Sequence, residues 1–134
     1  MTKIYHHVPD AAPSPKSARY SHAVEACGFL YVTGQLPVDP DAPDLPLAEG
    51  IVAQTEMSFL NLEKILKGCR YDFSDTIFVR IYLADFNRDY TAFNSVYHRY
   101  FNDDTRMPGR TTVGVAALGR GALVEIDMVL HRGG

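Results

Sequence analysis

The sequence is as informative in what it lacks as in what it holds. No stretch approaches the ~20 consecutive apolar residues of a membrane-spanning helix, and the start, Met1-Thr2-Lys3-Ile4-Tyr5-His6-His7, has no apolar signal core. There are only two cysteines, Cys27 and Cys69, with neither CxxC nor metal-ligand spacing. They read as small buried apolar residues in a reducing compartment. The five histidines (His6, His7, His22, His98, His131) show no HxxxH or HExxH pattern, which argues against a zinc site. GxGxxG, the P-loop and the nucleophile elbow are all missing. Nor is there a basic excess. Lys and Arg total 13 against 16 Asp and Glu, a formal net charge of -3, which argues against a nucleic-acid partner. The expectation is a soluble, cytoplasmic protein with no metal, no membrane contact and no nucleic acid.

What is present is one domain's worth of chain, residues 1–134. It is 46% hydrophobic and 22% charged, enough to bury a core without disulfides or metal. Residues 3–8 read as a short edge strand and 9–17, with three prolines, as a loop. Residues 20–27 and 29–33 read as a hairpin turning at Cys27-Gly28. A Pro- and Asp-rich loop covers 34–46. A helix is expected over 47–69, because Ile51, Thr55, Phe59, Leu62 and Leu66 follow helical spacing, with Gly68 as its terminator. Residues 76–83 form the clearest strand. A second helix is expected over 85–101 with Tyr90, Phe93, Tyr97 and Phe101 inward. Strands are expected over 110–118 and 123–131, separated by a turn at residues 119–121.

Alternation sorts the faces. Val124, Ile126, Met128 and Leu130 share one face of the last strand, and Ile77, Val79, Ile81 and Leu83 one face of the middle strand. These aliphatic faces are expected under the two helices. The opposite faces mix Phe29, Tyr31, Phe78 and Tyr82 with Arg80, Glu125 and Asp127. Such a face suits neither water nor an unpaired core, and it suggests burial by another subunit.

Two charges stand out: Arg110, after Pro108-Gly109 at the mouth of a strand, and Glu125, inside a strand. The rest of the chain reads as scaffold that brings them to one place. Arg110 shares its face with Thr112, Gly114 and Ala116, and the small residues leave room beside a guanidinium. It suits either bidentate capture of a carboxylate or phosphate, or a structural ion pair. Glu125 between Val124 and Ile126 needs a partner or a function. The alternatives are pairing with Arg110 or Arg80, an edge position facing solvent, or orientation of a water. Beside Arg110 its pKa should fall. Tyr20, Thr33 and Asn94 are weaker candidates. Tyr20 either closes over a ligand or sits in the core. Thr33 offers a hydroxyl or simply favours a strand. Asn94 caps, bridges subunits or is solvated.

As a set, Val32-Thr33-Gly34-Gln35-Leu36-Pro37, Gln54-Thr55, Asn61-Leu62, Tyr82-Leu83-Ala84-Asp85, Phe93-Asn94-Ser95-Val96-Tyr97, Pro108-Gly109-Arg110 with Val113, and Val124-Glu125-Ile126 resemble the RidA/YjgF family of imine/enamine deaminases over roughly residues 20–130. The resemblance implies an α+β, chorismate-mutase-like fold, a mixed β-sheet with two α-helices packed on one face. It further implies a homotrimer with interface clefts and hydrolysis of 2-imino or 2-enamino acids to 2-oxo acids and ammonia, with no cofactor. Arg110 would match the carboxylate-binding arginine and Glu125 the glutamate that positions water. Tyr20, Thr33, Gly34 and Thr112 would line the cleft, and Asn94 would lie near the interface. The sequence departs from the family at Gly109 (more often Ala), Thr112 (a cysteine in some members) and Gly119 (usually Pro). The first two should keep the pocket open, and the third is expected to loosen the turn before the Glu125 strand. The loop 39–46 looks slightly longer than usual.

The chemistry asked of such a site is modest. A protonated imine already reacts with water, so holding the acid and aiming the water suffices. An aminoacrylate or aminomuconate deaminase would use the same chemistry. A ribonuclease or translation inhibitor, and a non-catalytic small-molecule-binding trimer, are the alternatives from other classes.

Overall fold

Alternation decides the sheet. Val124, Ile126, Met128 and Leu130 are essentially sealed from solvent, while their neighbours along the same strand are half-exposed. In the computed structural model, which describes residues 2–133, this strand, β6 (Val124–His131), lies inside a mixed sheet of order β1-β2-β3-β6-β4-β5. The others are β1 (Ile4–His6), β2 (Ala23–Ala26), β3 (Phe29–Gln35), β4 (Thr76–Leu83) and β5 (Gly109–Gly114). The β4–β5 pair is parallel and the other pairs are antiparallel. Helices α1 (Ile51–Cys69) and α2 (Phe86–Tyr100) pack on one face, α1 over β3 and β6, and α2 against α1 and β4. Phe59, Leu62, Ile65 and Leu66 of α1 and Phe93, Val96 and Tyr97 of α2 close over Leu30, Val32, Val79, Ile81 and Leu83. Each large side chain sealed this way contributes roughly 1.5–3 kcal/mol. Among the described residues no helix is long and apolar enough to cross a membrane.

Several boundaries differ from the sequence reading, each for a local reason. The first helix starts at Ile51 rather than residue 47, because Gly50 takes φ 87°, a conformation that suits glycine and breaks the helix. Gly68 does not end it. The helix runs through to Cys69, and Arg70, left-handed at φ 64°, caps it. Gly68 is instead a contact glycine, since a Cβ there would lie 2.8 Å from a Val8 methyl. Ile77 leaves the aliphatic face and is 45% exposed, while Thr76 is buried. The β4–β6 register slips between Thr76 and Phe78, and this bulge turns Ile77 outward. Tyr90 is 38% exposed rather than inward. β5 stops at Gly114 instead of reaching residue 118, because its partner β4 ends where Asp85 caps α2, the Asp85 carboxylate accepting from the Arg88 N–H. Cys27, expected in the core, is exposed in the turn it shares with Gly28; only Cys69 is buried.

One polar cluster ties the chain ends to the sheet edge. The Glu25 carboxylate contacts His6 Nε2 at 2.9 Å and accepts from the Tyr71 hydroxyl at 3.0 Å and Arg132 at 3.3 Å. Burial pushes the Glu25 carboxyl up, but these bonds and charges outweigh it and hold its pKa below the ordinary 4.5. Burial, then the bond to Glu25, pushes the Tyr71 hydroxyl up to about 12. A carboxyl whose folded pKa is lowered contributes stability that is present above its unfolded value and lost as pH falls through the folded one. The thermal midpoint should therefore drop from about pH 5 to about pH 3. Glu25→Gln should be less stable at neutral pH and show a flatter profile across that window. Parallel profiles for the two proteins would contradict this role.

Candidate functional site

The Glu125 side of the site begins with a bulge. Between β3 and β6, Val32 pairs with Met128 but Gln35 pairs with Ile126, so β3 carries one extra residue at Thr33-Gly34. The bulge lays the Gly34 backbone against Glu125. A Cβ at Gly34 would sit 2.1 Å from Glu125 Oε2, so only glycine leaves the carboxylate where it is. The Thr33 hydroxyl donates to Ser21 O at 2.7 Å, and the Thr33 N–H donates to His22 O at 3.0 Å. Thr33 thus spends its proton inside the chain. It ties the segment 20–22 to β3. The Tyr20 hydroxyl has its pKa raised by burial first and by the Glu125 charge further.

Glu125 has none of the structural partners that its sequence position suggests. Arg80 Nε donates to Asp127 at 2.8 Å, and the Tyr82 hydroxyl to the same carboxylate at 2.9 Å. The ion pair expected on this face therefore belongs to Asp127, which the register sets opposite Arg80. β6 is interior to the sheet, so Glu125 is not an edge residue. Among the described residues it joins no ion pair, and its pKa is raised, by burial first and then by Asp127, not lowered.

Arg110 is built differently. Its Nε donates to Thr112 Oγ1 at 2.8 Å and its Nη2 to Asn94 Oδ1. Its guanidinium carbon lies 4.5, 5.4 and 5.6 Å from the ring centres of Tyr97, Phe93 and Tyr90. Every one of these partners is neutral. Arginines elsewhere in the chain meet carboxylates, as at Arg80, Arg88, Arg99 and Arg132. Among the described residues no carboxylate pairs with Arg110, and its Nη1 end still offers donors. Asn94 is neither a cap nor a solvated helix residue; it accepts from Arg110. The sequence reading assigns the three rings to the core, and helical spacing at 90, 93 and 97 gives no sign that they form a platform for a cation.

The chain does not bring these two charges to one place. Arg110 is in register with Val79, whose side chain faces the helices, and its own contacts are to α2. Glu125 is in register with Tyr82, on the opposite face, with β4 lying between the two strands. That face also exposes Tyr31 and Phe78. Tyr20, Thr33, Gly34 and Glu125 fall in one group, and Arg110, Thr112 and Asn94 in another. The departures from the resembled family have local explanations. A Cβ on Gly109 would lie 2.7 Å from the Phe78 ring, so glycine fits that ring. The Gly119–Gly121 turn is not loosened: Arg120 within it donates to Pro43 O at 2.7 Å and Leu45 O at 2.8 Å. Among the described residues no three His, Cys, Asp or Glu side chains converge as metal ligands.

Comparison with known proteins gives a consistent picture. The family profile described as Endoribonuclease L-PSP matches residues 10–131. A RutC family protein of Sulfurisphaera tokodaii is 36% identical over 124 residues, 92% of this chain and 95% of the relative. A goat (Capra hircus) protein named 2-iminobutanoate/2-iminopropanoate deaminase is 33% identical over 134 residues, covering 99% of this chain and 95% of its own. The crystal structure of RidA from an Antarctic Psychrobacter superimposes with a TM-score of 0.81 at 33% identity, covering 92% of this chain and 95% of that one.

Proposed function

Because the chain belongs to the RidA/YjgF family, the endoribonuclease L-PSP group, we propose that it hydrolyses reactive 2-imino or 2-enamino acids to 2-oxo acids and ammonia, in clefts that a homotrimer completes. The observation that carries this reading is the pair of unneutralised charges on opposite faces of one sheet. An arginine held by neutral acceptors and aromatic rings retains its attraction for an anion. Thr112 and Asn94 engage the Nε and Nη2 edge, so a substrate carboxylate meets the Nη1 end. A glutamate with a raised pKa and no cation beside it is a competent proton acceptor. Each lacks in its own chain what the other provides, and a neighbouring copy supplies it.

In this cleft Arg110 binds the carboxylate of the imino acid. Glu125 takes a proton from water as the oxygen adds to the imine carbon and the C=N electron pair moves to nitrogen. Glu125 returns the proton to that nitrogen and then takes the proton of the new hydroxyl as the C–N bond breaks, so the carbonyl forms and ammonia leaves. Asn94 and Thr112 position the guanidinium, Thr33 and Gly34 shape the carboxylate's seat, and Tyr20 covers it. No cofactor is needed, because the protonated imine is itself the electrophile. The test is a coupled assay in which an amino-acid oxidase generates imine in place and semicarbazide traps what remains. The trapped signal should fall when the protein is present. An unchanged signal across small and aromatic imines would move the non-catalytic binding reading to first place.

A finer prediction concerns Gly34. Gly34→Ala should displace the Glu125 carboxylate and cut turnover by roughly tenfold to a hundredfold, since the added carbon meets Glu125 side-chain atoms, the carboxylate oxygen nearest. The thermal midpoint should move little. Equal activity would mean that the carboxylate's place against β3 is irrelevant.

A further inference from the structure

A hollow of about 400 Å³ lies beside Tyr20, between the segment 7–14 and the prolines Pro40 and Pro43. Three polar staples hold its walls. His22, buried, accepts from the Val8 N–H at 2.8 Å through Nδ1 and donates to Ala12 O at 2.7 Å through Nε2, so both ring nitrogens are used within the chain. Asn61, fully buried, accepts from the Ala12 N–H at 2.8 Å and donates to Val38 O at 2.7 Å, joining one wall to the other. Arg120 holds the far loop through the carbonyls of Pro43 and Leu45. Four prolines and the Tyr20 ring supply flat, stiff faces, His7 and Ser14 add polar groups, and among the described residues no Lys, Arg, Asp or Glu lines the hollow.

We propose that this hollow is the side-chain subsite of the imine cleft and selects 2-imino acids with a planar aromatic side chain; the inference rests on the deaminase reading above. Continuity comes through Tyr20, which lines the hollow and precedes Ser21, whose carbonyl accepts from Thr33, the neighbour of the Gly34 that packs against Glu125. The volume lies in the range of small-molecule sites, which are concave, largely apolar and pre-formed. Proline and tyrosine faces stack well on a flat ring. A lining without Lys, Arg, Asp or Glu offers no full counter-charge to acidic or basic side chains, so their desolvation is poorly offset. The fixed loops mean that little ordering is left to occur on binding. The loop 39–46 gains a role by the same reasoning. It is the outer wall, and Arg120 is its positioning residue.

The experiment compares imines made in place from phenylalanine and from alanine, using wild type, Ser14→Trp (which fills the hollow) and Arg120→Ala (which releases its wall). Calorimetric titration with phenylpyruvate and pyruvate runs alongside. Wild type should favour the aromatic imine about tenfold or more in kcat/KM. Both variants should lower that preference by about tenfold, with the loss in KM. Phenylpyruvate should bind wild type more tightly than pyruvate, and Ser14→Trp should remove the difference. A wild type that hydrolyses both imines with a ratio insensitive to Ser14→Trp overturns the subsite and leaves the deaminase reading standing. No hydrolysis of either imine overturns the deaminase reading, and the titrations then decide the hollow alone: selective phenylpyruvate binding retains it as an aromatic site, and equal binding removes it.

Discussion

Arg110→Ala should lower kcat/KM for any 2-imino acid by about a hundredfold to a thousandfold, the loss expected when a charge-assisted clamp is removed from a partly desolvated site. The reason lies in how the residue is held. A structural arginine would sit against a carboxylate, and its loss would register in stability. Arg110 instead rests on Tyr97, Phe93 and Tyr90 and spends two donors on Thr112 and Asn94, all neutral. Removing it leaves no buried carboxylate unpaired, so the thermal midpoint should fall by only a few degrees. Arg110→Lys separates charge from shape. The ammonium keeps a positive charge but loses the planar fork, and it should recover part of the substrate affinity while remaining well below wild type. Measured with the oxidase-coupled assay and a melting curve on each protein, full activity in Arg110→Ala would sink the carboxylate clamp. A large loss of stability with unchanged activity would return the residue to a structural role.

Much of the fold was legible because the sequence repeats one signal in each element. The alternation of β6 and the helical spacing of Ile51, Thr55, Phe59, Leu62 and Leu66 each mark a buried stripe, and those stripes are the core. The errors fall where one residue breaks the period. Bulges at Ile77 and at Thr33-Gly34 shift the phase by one, and at Ile77 no turn residue announces the shift. Gly34 marks the second bulge, but its meaning depends on the Glu125 carboxylate far along the chain. The candidate residues stand out in the sequence by type, but their separation onto two faces does not. Whether Arg110 and Glu125 point to the same side depends on how β5 and β6 register against β4, and alternation within a strand cannot report on register between strands. Asp127 illustrates the same gap. It and Glu125 share a face, but only the pairing with β4 assigns Arg80 to one and leaves the other alone.

The opposed faces lead to the sharpest expectation. If each cleft takes Arg110 from one copy and Glu125 from another, then Arg110→Ala and Glu125→Gln, both inactive alone, should restore activity when co-assembled. Unfolding an equal mixture and refolding it gives random assembly of the two chains. A given interface then receives its intact arginine with a chance of one half and its intact glutamate, independently, with a chance of one half. About one quarter of the clefts should carry both, so roughly a quarter of wild-type activity should return, as expected for head-to-tail contacts between identical subunits. Mixing the two assembled variants without exchange should return nothing, which controls for leakage from either. Within one chain Arg110 contacts α2 on the helix side, while Glu125 lies beyond β4 on the other. A site made within single copies would therefore give no recovery at any ratio. Recovery would place the two groups in trans and explain why Tyr31 and Phe78 are exposed on that face. No recovery from chains shown by mass to have exchanged would require Glu125 to act without Arg110, and the reaction would have to be assigned to one group of residues alone.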